Sequence, residues 1–239
     1  MIDVDLLKTE AEKQNLDLSR EMLEMFDLYA ARLVETNRVM NLTAITEPKD
    51  IVYKHFLDSL SAAPFLPEGP FSLIDVGTGA GFPGIPLQIL RFDMKLTLLD
   101  SLQKRLTFLE GLCRELGFSV QTVHMRAEEA GQDPAFREQF DIVTARAVAG
   151  LSVLSEWCLP LAKVGGRFIP LKGSAAMQEL KDAENALKTL GGTYTDNLKF
   201  EIPAENTETE RHFVLHIAKT SKTPRLYPRP NGQIKKKPL

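Results

Sequence analysis

The chain has 239 residues, of which 44% are hydrophobic and 26% charged, as expected for a folded domain with an appendage. Two cysteines, Cys113 and Cys158, are too few for a disulfide framework or a cysteine-rich metal site. The N-terminal residues lack the apolar core of a signal peptide, and no uncharged run reaches membrane-spanning length. We therefore expect a cytoplasmic protein with no membrane partner.

Charge is distributed unevenly along the chain. From Lys219 onward there are seven basic residues and no acidic ones, and without them the formal net charge of −3 would be −10. A basic tail on an acidic body indicates a polyanionic partner, although a solvated, disordered end would carry the same charges. The proline and glycine of this tail argue against a helix or strand in it.

The N-terminal quarter has the apolar spacing of helices. Residues 3–63 are predicted to be mainly helical, with Ser19 as an N-cap and Pro48 restarting a helix after a loop. On that later helix His55 and Asp58 are three residues apart and share a face, where they could pair or simply lie on the surface.

The next stretch combines a strand, a glycine cluster and a helix. Phe71–Val76 is predicted to be a buried strand, and Ile85–Leu90 begins a helix. The glycines between them allow positive φ and leave room for a ligand to approach the backbone: Gly77, Gly79, Gly81 and Gly84. A strand, glycine loop and helix N-terminus in this order are typical of a nucleotide-type binding site.

Two cofactors compete for this loop. Gly79-x-Gly81-x-x-Gly84 matches the dinucleotide fingerprint, but the strand ends at Val76, so the first loop glycine is Gly77. With Gly77 as the first glycine, the pattern is Asp-x-Gly-x-Gly-x-Gly and begins at Asp75. The Asp75 carboxylate suits cationic S-adenosylmethionine (SAM) better than a pyrophosphate. A glycine-rich turn without a ligand is the remaining alternative.

The second strand ends in an acidic residue. Lys95–Leu99 is followed by Asp100, which is placed to accept the ribose hydroxyls of either cofactor. Asp100 or Ser101 could equally cap the next helix. Lys104 and Arg105 lie in the first turn of that helix, where its dipole disfavours cations, so we expect them to contact a phosphate backbone.

Two further strand ends carry candidate site residues. Phe118–His124 is a predicted strand, and the Ala127-Glu128 pair after it is expected to border an adenine. Phe140–Ala145 is the fourth strand and offers Arg146, which cannot act as a base but can bind phosphate or the O6 and N7 edge of guanine. No Pro-Pro-Tyr or cysteine follows this strand, which disfavours an exocyclic amine or a covalent base adduct.

The remaining elements are a helix over 151–162, whose Trp157 is expected to pack in the core, a strand over 167–171 ending at Lys172, and a helix over 175–190. Alternating residues predict a final pair of strands over 194–202 and 212–218.

Several of these motifs together resemble one family, the 16S rRNA (guanine-N7) methyltransferase G family, once called glucose-inhibited division protein B. The resemblance rests on Asp75–Gly84, Asp100–Arg105, Thr144–Ala147, Asn41–Ile45, His55–Leu60 and Tyr227–Arg229. It implies a class I SAM-dependent methyltransferase fold: an α/β, Rossmann-like, mostly parallel seven-stranded sheet with helices on both faces and a helical N-terminal extension. The expected substrate is one guanine in the decoding region of small-subunit rRNA.

The resemblance also implies site residues, because Gly77, Phe82, Ala127, Glu128 and Arg146 match positions that contact SAM or line its pocket. With the loop and strand-end residues, the expected cofactor-binding set is Asp75, Gly77, Thr78, Gly79, Gly81, Phe82, Asp100, Ser101, Ala127, Glu128 and Arg146. Arg146 and Lys172 are expected to position the substrate. Expected RNA contacts are Arg38, His55, Lys104, Arg105 and Arg229.

Guanine N7 carries an in-plane lone pair and no proton, so direct in-line methyl transfer needs no general base, and positioning could supply most of the acceleration. The expected division is a helical extension (1–66), a SAM-binding domain (67–219) and a basic tail (220–239), in a monomer that acts on rRNA, the small ribosomal subunit or its assembly intermediate. The alternatives are a small-molecule methyltransferase, an NAD-dependent oxidoreductase, and a non-catalytic rRNA-binding assembly factor.

Overall fold

A computed structural model describes residues 1–146, 148–202 and 210–239, so Ala147 of the motif above lies outside the described residues. The strands are β1 (Ser72–Val76), β2 (Lys95–Asp100), β3 (Gln121–His124), β4 (Phe140–Arg146), β5 (Ala162–Lys172), β6 (Gly192–Ile202) and β7 (Glu210–Lys219). Within the described ranges they form one seven-stranded sheet in the order β3-β2-β1-β4-β5-β7-β6. The first five strands pair with one another in parallel. The last two differ, since β7 pairs antiparallel with both β5 and β6. This confirms the predicted fold class.

The helices begin with α1 (Val4–Lys13) and α2 (Arg20–Met40), followed by α3 (Pro48–Asp50), a π-helical segment (Ile51–Leu57) and α4 (Asp58–Leu60). Those that alternate with or follow the strands are α5 (Gly84–Leu90), α6 (Gln103–Glu115), α7 (Ala127–Ala130), α8 (Leu151–Cys158), α9 (Ala176–Asp182), α10 (Glu184–Leu190) and α11 (Asn231–Lys236). A search of the described residues finds no helix long and apolar enough to span a membrane.

The helical N-terminal segment is set by local signals and held by packing. Ser19 caps α2 by accepting a hydrogen bond from the Met22 amide at 3.2 Å, and Asn41 ends it in the left-handed region with φ of 50°. Along α2, Phe26 and Tyr29 are fully buried, in the same apolar cluster as residues of β1, α5 and α6. The segment therefore shares a core with one face of the sheet.

The prediction of an irregular C-terminal tail is wrong, because α11 forms there and buries Ile234. The Arg137 guanidinium donates to the Tyr227 and Thr223 carbonyls, each at 2.8 Å, and Gln132 donates to the Pro228 carbonyl at 2.8 Å. The donors Arg137 and Gln132 precede the tail residues that they contact by about 90 positions. Tail composition alone therefore could not reveal them.

Candidate active site

The glycine loop between β1 and α5 has the positive φ angles expected from its sequence. Gly77, Gly79 and Gly81 have φ of 68°, 61° and 104°. At Gly81 a Cβ would lie 2.6 Å from the Tyr29 hydroxyl oxygen, whereas at Gly79 it would meet no atom closer than 3.9 Å. Gly81 therefore allows the loop to pack on α2, where Tyr29 donates to the Ala80 carbonyl at 2.6 Å, and Gly79 leaves open space.

Asp75 lies beneath this loop and is fully buried. Its Oδ2 accepts hydrogen bonds from the Thr78 hydroxyl at 2.7 Å and from the Gly84 amide at 3.0 Å. Burial raises the pKa of this carboxyl to about 6, although both hydrogen bonds oppose the shift. The position of Asp75 makes it a support for the loop, because it does not line the adjacent cavity.

A cavity of about 470 Å³ opens beside the glycine loop, at the carboxyl edge of the parallel strands. Most of the expected cofactor-binding residues line it: Gly77, Thr78, Gly79, Phe82, Asp100, Ser101, Ala127, Glu128 and Arg146. Asp75 and Gly81, also in that set, do not line it, because Asp75 supports the loop from below and Gly81 faces Tyr29 of α2. Trp157, Asn231 and Lys235 line this cavity too, although the sequence pattern did not point to them.

The predicted capping of α6 by Asp100 or Ser101 is wrong, because the N-cap is Leu102 and no side chain caps this helix. The Asp100 carboxylate instead joins the glycine loop to the turn before α6. Its Oδ1 accepts from the Leu102 amide at 2.9 Å, just before α6, while Oδ2 accepts from the Gly79 amide at 3.0 Å. Arg105 adds a longer contact of 3.3 Å to Oδ2 from a partly exposed side chain. An ionised carboxylate offers about four acceptor positions, so at least one stays available to a ligand hydroxyl.

Arg146, at the end of β4, is held by groups of the N-terminal segment. Its Nη1 donates to the Lys54 carbonyl at 2.9 Å and to the Asp58 carboxylate at 2.8 Å. Its Nη2 lies 3.0 Å from Nδ1 of His55, and the guanidinium carbon lies 4.7 Å from the centre of the Phe82 ring. These contacts fix a cationic group in the cavity wall.

The sequence predicts an RNA contact for His55, but in the structure His55 is buried. Its ring stacks on Phe82 with 4.2 Å between centroids, and its Nε2 lies 2.9 Å from the Thr43 hydroxyl. Burial and the neighbouring Arg146 charge lower the pKa of His55 to about 3, so the ring is neutral at physiological pH. A neutral imidazole accepts from Arg146 at Nδ1 and donates to Thr43 at Nε2.

Asp58 does not pair directly with His55 but connects Arg146 to β7. Its Oδ1 lies 2.8 Å from Nδ1 of His212, and its side chain is nearly inaccessible. Burial opposes ionisation, yet hydrogen bonds from His212 and Arg146 hold the pKa of Asp58 below its usual value. The same hydrogen bond raises the pKa of His212. Sequence reasoning missed His212, because it lies on a strand more than 150 positions away.

A second cavity of about 460 Å³ adjoins the first, and His55 and Arg146 line both. Lys172, at the end of β5, lines this second cavity, and its side chain is only 7% exposed. Its ammonium donates to the Ala149 carbonyl and contacts the Glu179 carboxylate, each at 2.7 Å. Of the two expected substrate-positioning residues, Arg146 therefore lies where the two cavities meet, which we call the junction. Lys172 lies within the second cavity.

The residues expected to contact RNA differ in their environments. Arg38 and Lys104 are exposed, and Arg105 is partly occupied by Asp100. Arg229 instead forms a two-point ion pair with the fully buried Glu156, at 2.8 and 2.6 Å. This pairing assigns Arg229 to anchoring the tail. No group of three or more possible metal ligands is present among the described residues.

The sheet order, glycine loop and carboxyl-edge cavity together define a class I methyltransferase. Similar folds occur in precorrin-6y C5,15-methyltransferase from Geobacter metallireducens (TM-score 0.52, 14% identity, 74% of this chain and 90% of that one). A 16S rRNA (adenine(1408)-N(1))-methyltransferase mutant from Catenulisporales acidiphilia has a TM-score of 0.50 at 16% identity, covering 64% of this chain and 90% of that one.

The family model described as rRNA small subunit methyltransferase G matches residues 22–212. Proteins named ribosomal RNA small subunit methyltransferase G from Bacillus cereus and Bacillus thuringiensis are each 48% identical over 100% of this chain and 99% of their own lengths. The chain belongs to this family, as its motifs predicted.

Proposed function

We propose that this protein transfers a methyl group from SAM to N7 of one guanine in 16S rRNA. One observation supports the choice of N7: among the described residues, the side chains that line both cavities, Arg146 and His55, do not include an available general base. Arg146 is permanently charged, and His55 has a pKa of about 3 with both ring nitrogens engaged. Asp58 is an ion-paired carboxylate with a lowered pKa. An acceptor that must lose a proton would be poorly served here, whereas guanine N7 has none to lose.

The first cavity fits SAM by its size and by its groups. The open space at Gly79 lets a ligand approach the main chain, and Asp100 keeps an acceptor position for a ribose hydroxyl. Asp100 and Glu128 bring carboxylates to a site for a cationic ligand. When bound, SAM supplies an electrophilic methyl group on its sulfonium.

The second cavity is proposed to receive the guanine. Lys172 uses two of its three N–H donors on Ala149 and Glu179, which leaves the third for a guanine O6 or a phosphate. Arg146 is fixed by three partners, so it orients the base at the junction without moving. The expected contribution of these residues is alignment of N7 with the methyl group, since alignment lowers the barrier to a direct displacement.

Exposed and partly exposed basic residues would add affinity that does not depend on RNA sequence. We assign this role to Arg38, Lys104 and Arg105, with Lys236 and Lys237 of the tail as further cations. Lys104 and Arg105 lie in the first turn of α6, beside the cofactor cavity. The proposed partner is the small ribosomal subunit or its assembly intermediate, in the cytoplasm, with the enzyme acting as a monomer.

The test is transfer of tritium from methyl-labelled SAM into small subunits that lack this modification, followed by mapping of the labelled nucleotide. Label on a single guanine, with N7-methylguanine as the product, is expected. Label on another atom or base would reject the assignment of N7, and label in naked 16S rRNA alone would exclude the particle as substrate. A Lys172→Met variant should reduce transfer while retaining affinity for S-adenosylhomocysteine, because Lys172 lies in the second cavity.

A further inference from the structure

The second cavity carries an ammonium and a carboxylate side by side. Lys172, at the end of β5, and Glu179, on α9, both line this cavity, and the Lys172 Nζ lies 2.7 Å from the Glu179 Oε2. Their side chains are 7% and 27% exposed. An ammonium only donates hydrogen bonds and a carboxylate only accepts them, so the two groups cannot exchange roles as a hydroxyl or a carboxamide can. The cavity wall therefore presents a defined donor next to a defined acceptor.

The Glu179 carboxylate is held at one of its two oxygens. Its Oε2 accepts a hydrogen bond from the Leu151 amide at 2.8 Å, at the start of α8, and also contacts the Lys172 ammonium. Among the described residues, these contacts all involve Oε2, and none donates to Oε1. Each carboxylate oxygen has about two acceptor positions, so those of Oε2 are filled and those of Oε1 remain for a ligand.

The register of the sheet sets the order of these groups. Lys172 follows the β5 residue that pairs with Arg146, so it is the nearer of the two to the junction. Glu179 belongs to α9 and contacts Lys172 from the side where α8 begins at Leu151. From the junction outward, the order is therefore the Arg146 guanidinium, the Lys172 donor and the Glu179 acceptor.

We propose that Lys172 and Glu179 together select guanine over adenine, with Lys172 donating to O6 and the Glu179 Oε1 accepting from N1–H. This inference rests on the proposed methylation of N7. With N7 at the junction, guanine presents the O6 acceptor and then the N1–H donor along the edge of its ring. Adenine in the same position presents its 6-amino donor to Lys172 and its N1 acceptor to Glu179, so both contacts are mismatched.

Adenine can match the same two groups in one other way, with its amino group on Glu179 and a ring nitrogen on Lys172. That placement moves the amino group away from the junction by one position. Either N7 is then occupied by Lys172 or it lies on the far side of the amino group. Neither arrangement aligns N7 with the methyl donor, so a matched adenine is not in position for transfer.

Replacing Glu179 by Gln exchanges the acceptor for a donor at nearly constant shape. The Leu151 amide and the Lys172 ammonium both require an oxygen, so they hold the amide oxygen at the Oε2 position. The amide nitrogen then occupies the Oε1 position, where it opposes guanine N1–H and suits adenine N1. Glu179→Gln should therefore transfer less to guanine and more to adenine, and the ratio of the two rates should fall by about tenfold to a hundredfold.

The experiment measures kcat/KM for methyl transfer from labelled SAM to reconstituted small subunits whose 16S rRNA carries guanine or adenine at the target position. Glu184→Gln is the matched control, because it removes the same charge from an exposed side chain of the next helix, and it should keep the wild-type ratio. A purely structural role of Glu179 would lower both rates together. A rise in adenine transfer in Glu179→Gln alone would support the selection.

The outcomes separate this inference from the proposed function. Adenine transfer by Glu179→Gln that is no greater than that of the wild-type protein would overturn the selection by Glu179 and leave the methylation of N7 intact. Absence of transfer by the wild-type protein to subunits that carry guanine would reject the proposed function, and the selection with it.

Discussion

Replacing Asp58 by Asn tests whether the Arg146 network is a fixed part of the site. The Asp58 carboxylate accepts from both Arg146 and His212 at 2.8 Å, and its side chain is 4% exposed. Removing one partner of a buried ion pair leaves the other charge uncompensated and typically costs about 3–5 kcal/mol. Because Asn keeps a carbonyl acceptor, we expect Asp58→Asn to lower the free energy of unfolding by about 3 kcal/mol, the lower end of that range.

The assay is urea denaturation with and without S-adenosylhomocysteine, together with methyl transfer to small subunits. Asp50→Asn is the matched control, because Asp50 forms a 3.3 Å pair with Lys54 that is partly exposed. Such pairs contribute about 1 kcal/mol or less. A loss of stability in Asp58→Asn no larger than in Asp50→Asn, with transfer retained, would refute the view that Asp58 fixes Arg146.

Three further predictions follow from individual contacts. Gly81→Ala should unfold at a lower temperature than Gly79→Ala, because both are strained at positive φ but only the former meets Tyr29; equal melting temperatures would contradict this. The raised pKa of His212 means that its contribution to stability is full below its unfolded pKa of about 6.5 and is lost as pH rises through the folded value. The stability advantage of wild type over His212→Gln should therefore shrink between mildly acidic and alkaline pH, and an advantage independent of pH would count against it. Glu156→Gln should release the tail, seen as faster cleavage near the C-terminus by trypsin at unchanged stability of the sheet; cleavage at the wild-type rate would be evidence against anchoring.

The features that sequence could predict are those encoded locally. The alternation of strands and helices and the apolar run before Gly77 determine the sheet, and the carboxyl ends of parallel strands meet at one edge. The strand ends therefore predict that Asp100, Ala127 and Arg146 lie at this edge, and the family resemblance adds to that prediction for Ala127 and Arg146. Asp75 does not line the cavity, because a residue on the strand can face the loop from below as easily as it faces a ligand.

What could not be predicted depends on contacts between distant parts of the chain. The charge of His55 is decided by burial and by Arg146, which lies 91 positions away. The helix in the tail depends on Arg137 and Glu156, which supply hydrogen bonds that the composition of the tail does not reveal. Basic residues in a sequence therefore indicate a charge, whereas their partners decide whether that charge faces solvent.

Arg146 links the chemistry of the class to the particular architecture of this chain. A guanidinium at the end of β4 would be costly to bury alone, and the sheet does not neutralise it. In the N-terminal segment, the Asp58 carboxylate neutralises the guanidinium and the Lys54 carbonyl accepts a hydrogen bond from it. His212 of β7 contacts the other oxygen of Asp58. The segment before the sheet thus completes the electrostatics of the site, so its packing and the alignment of the reacting groups depend on the same ion pair.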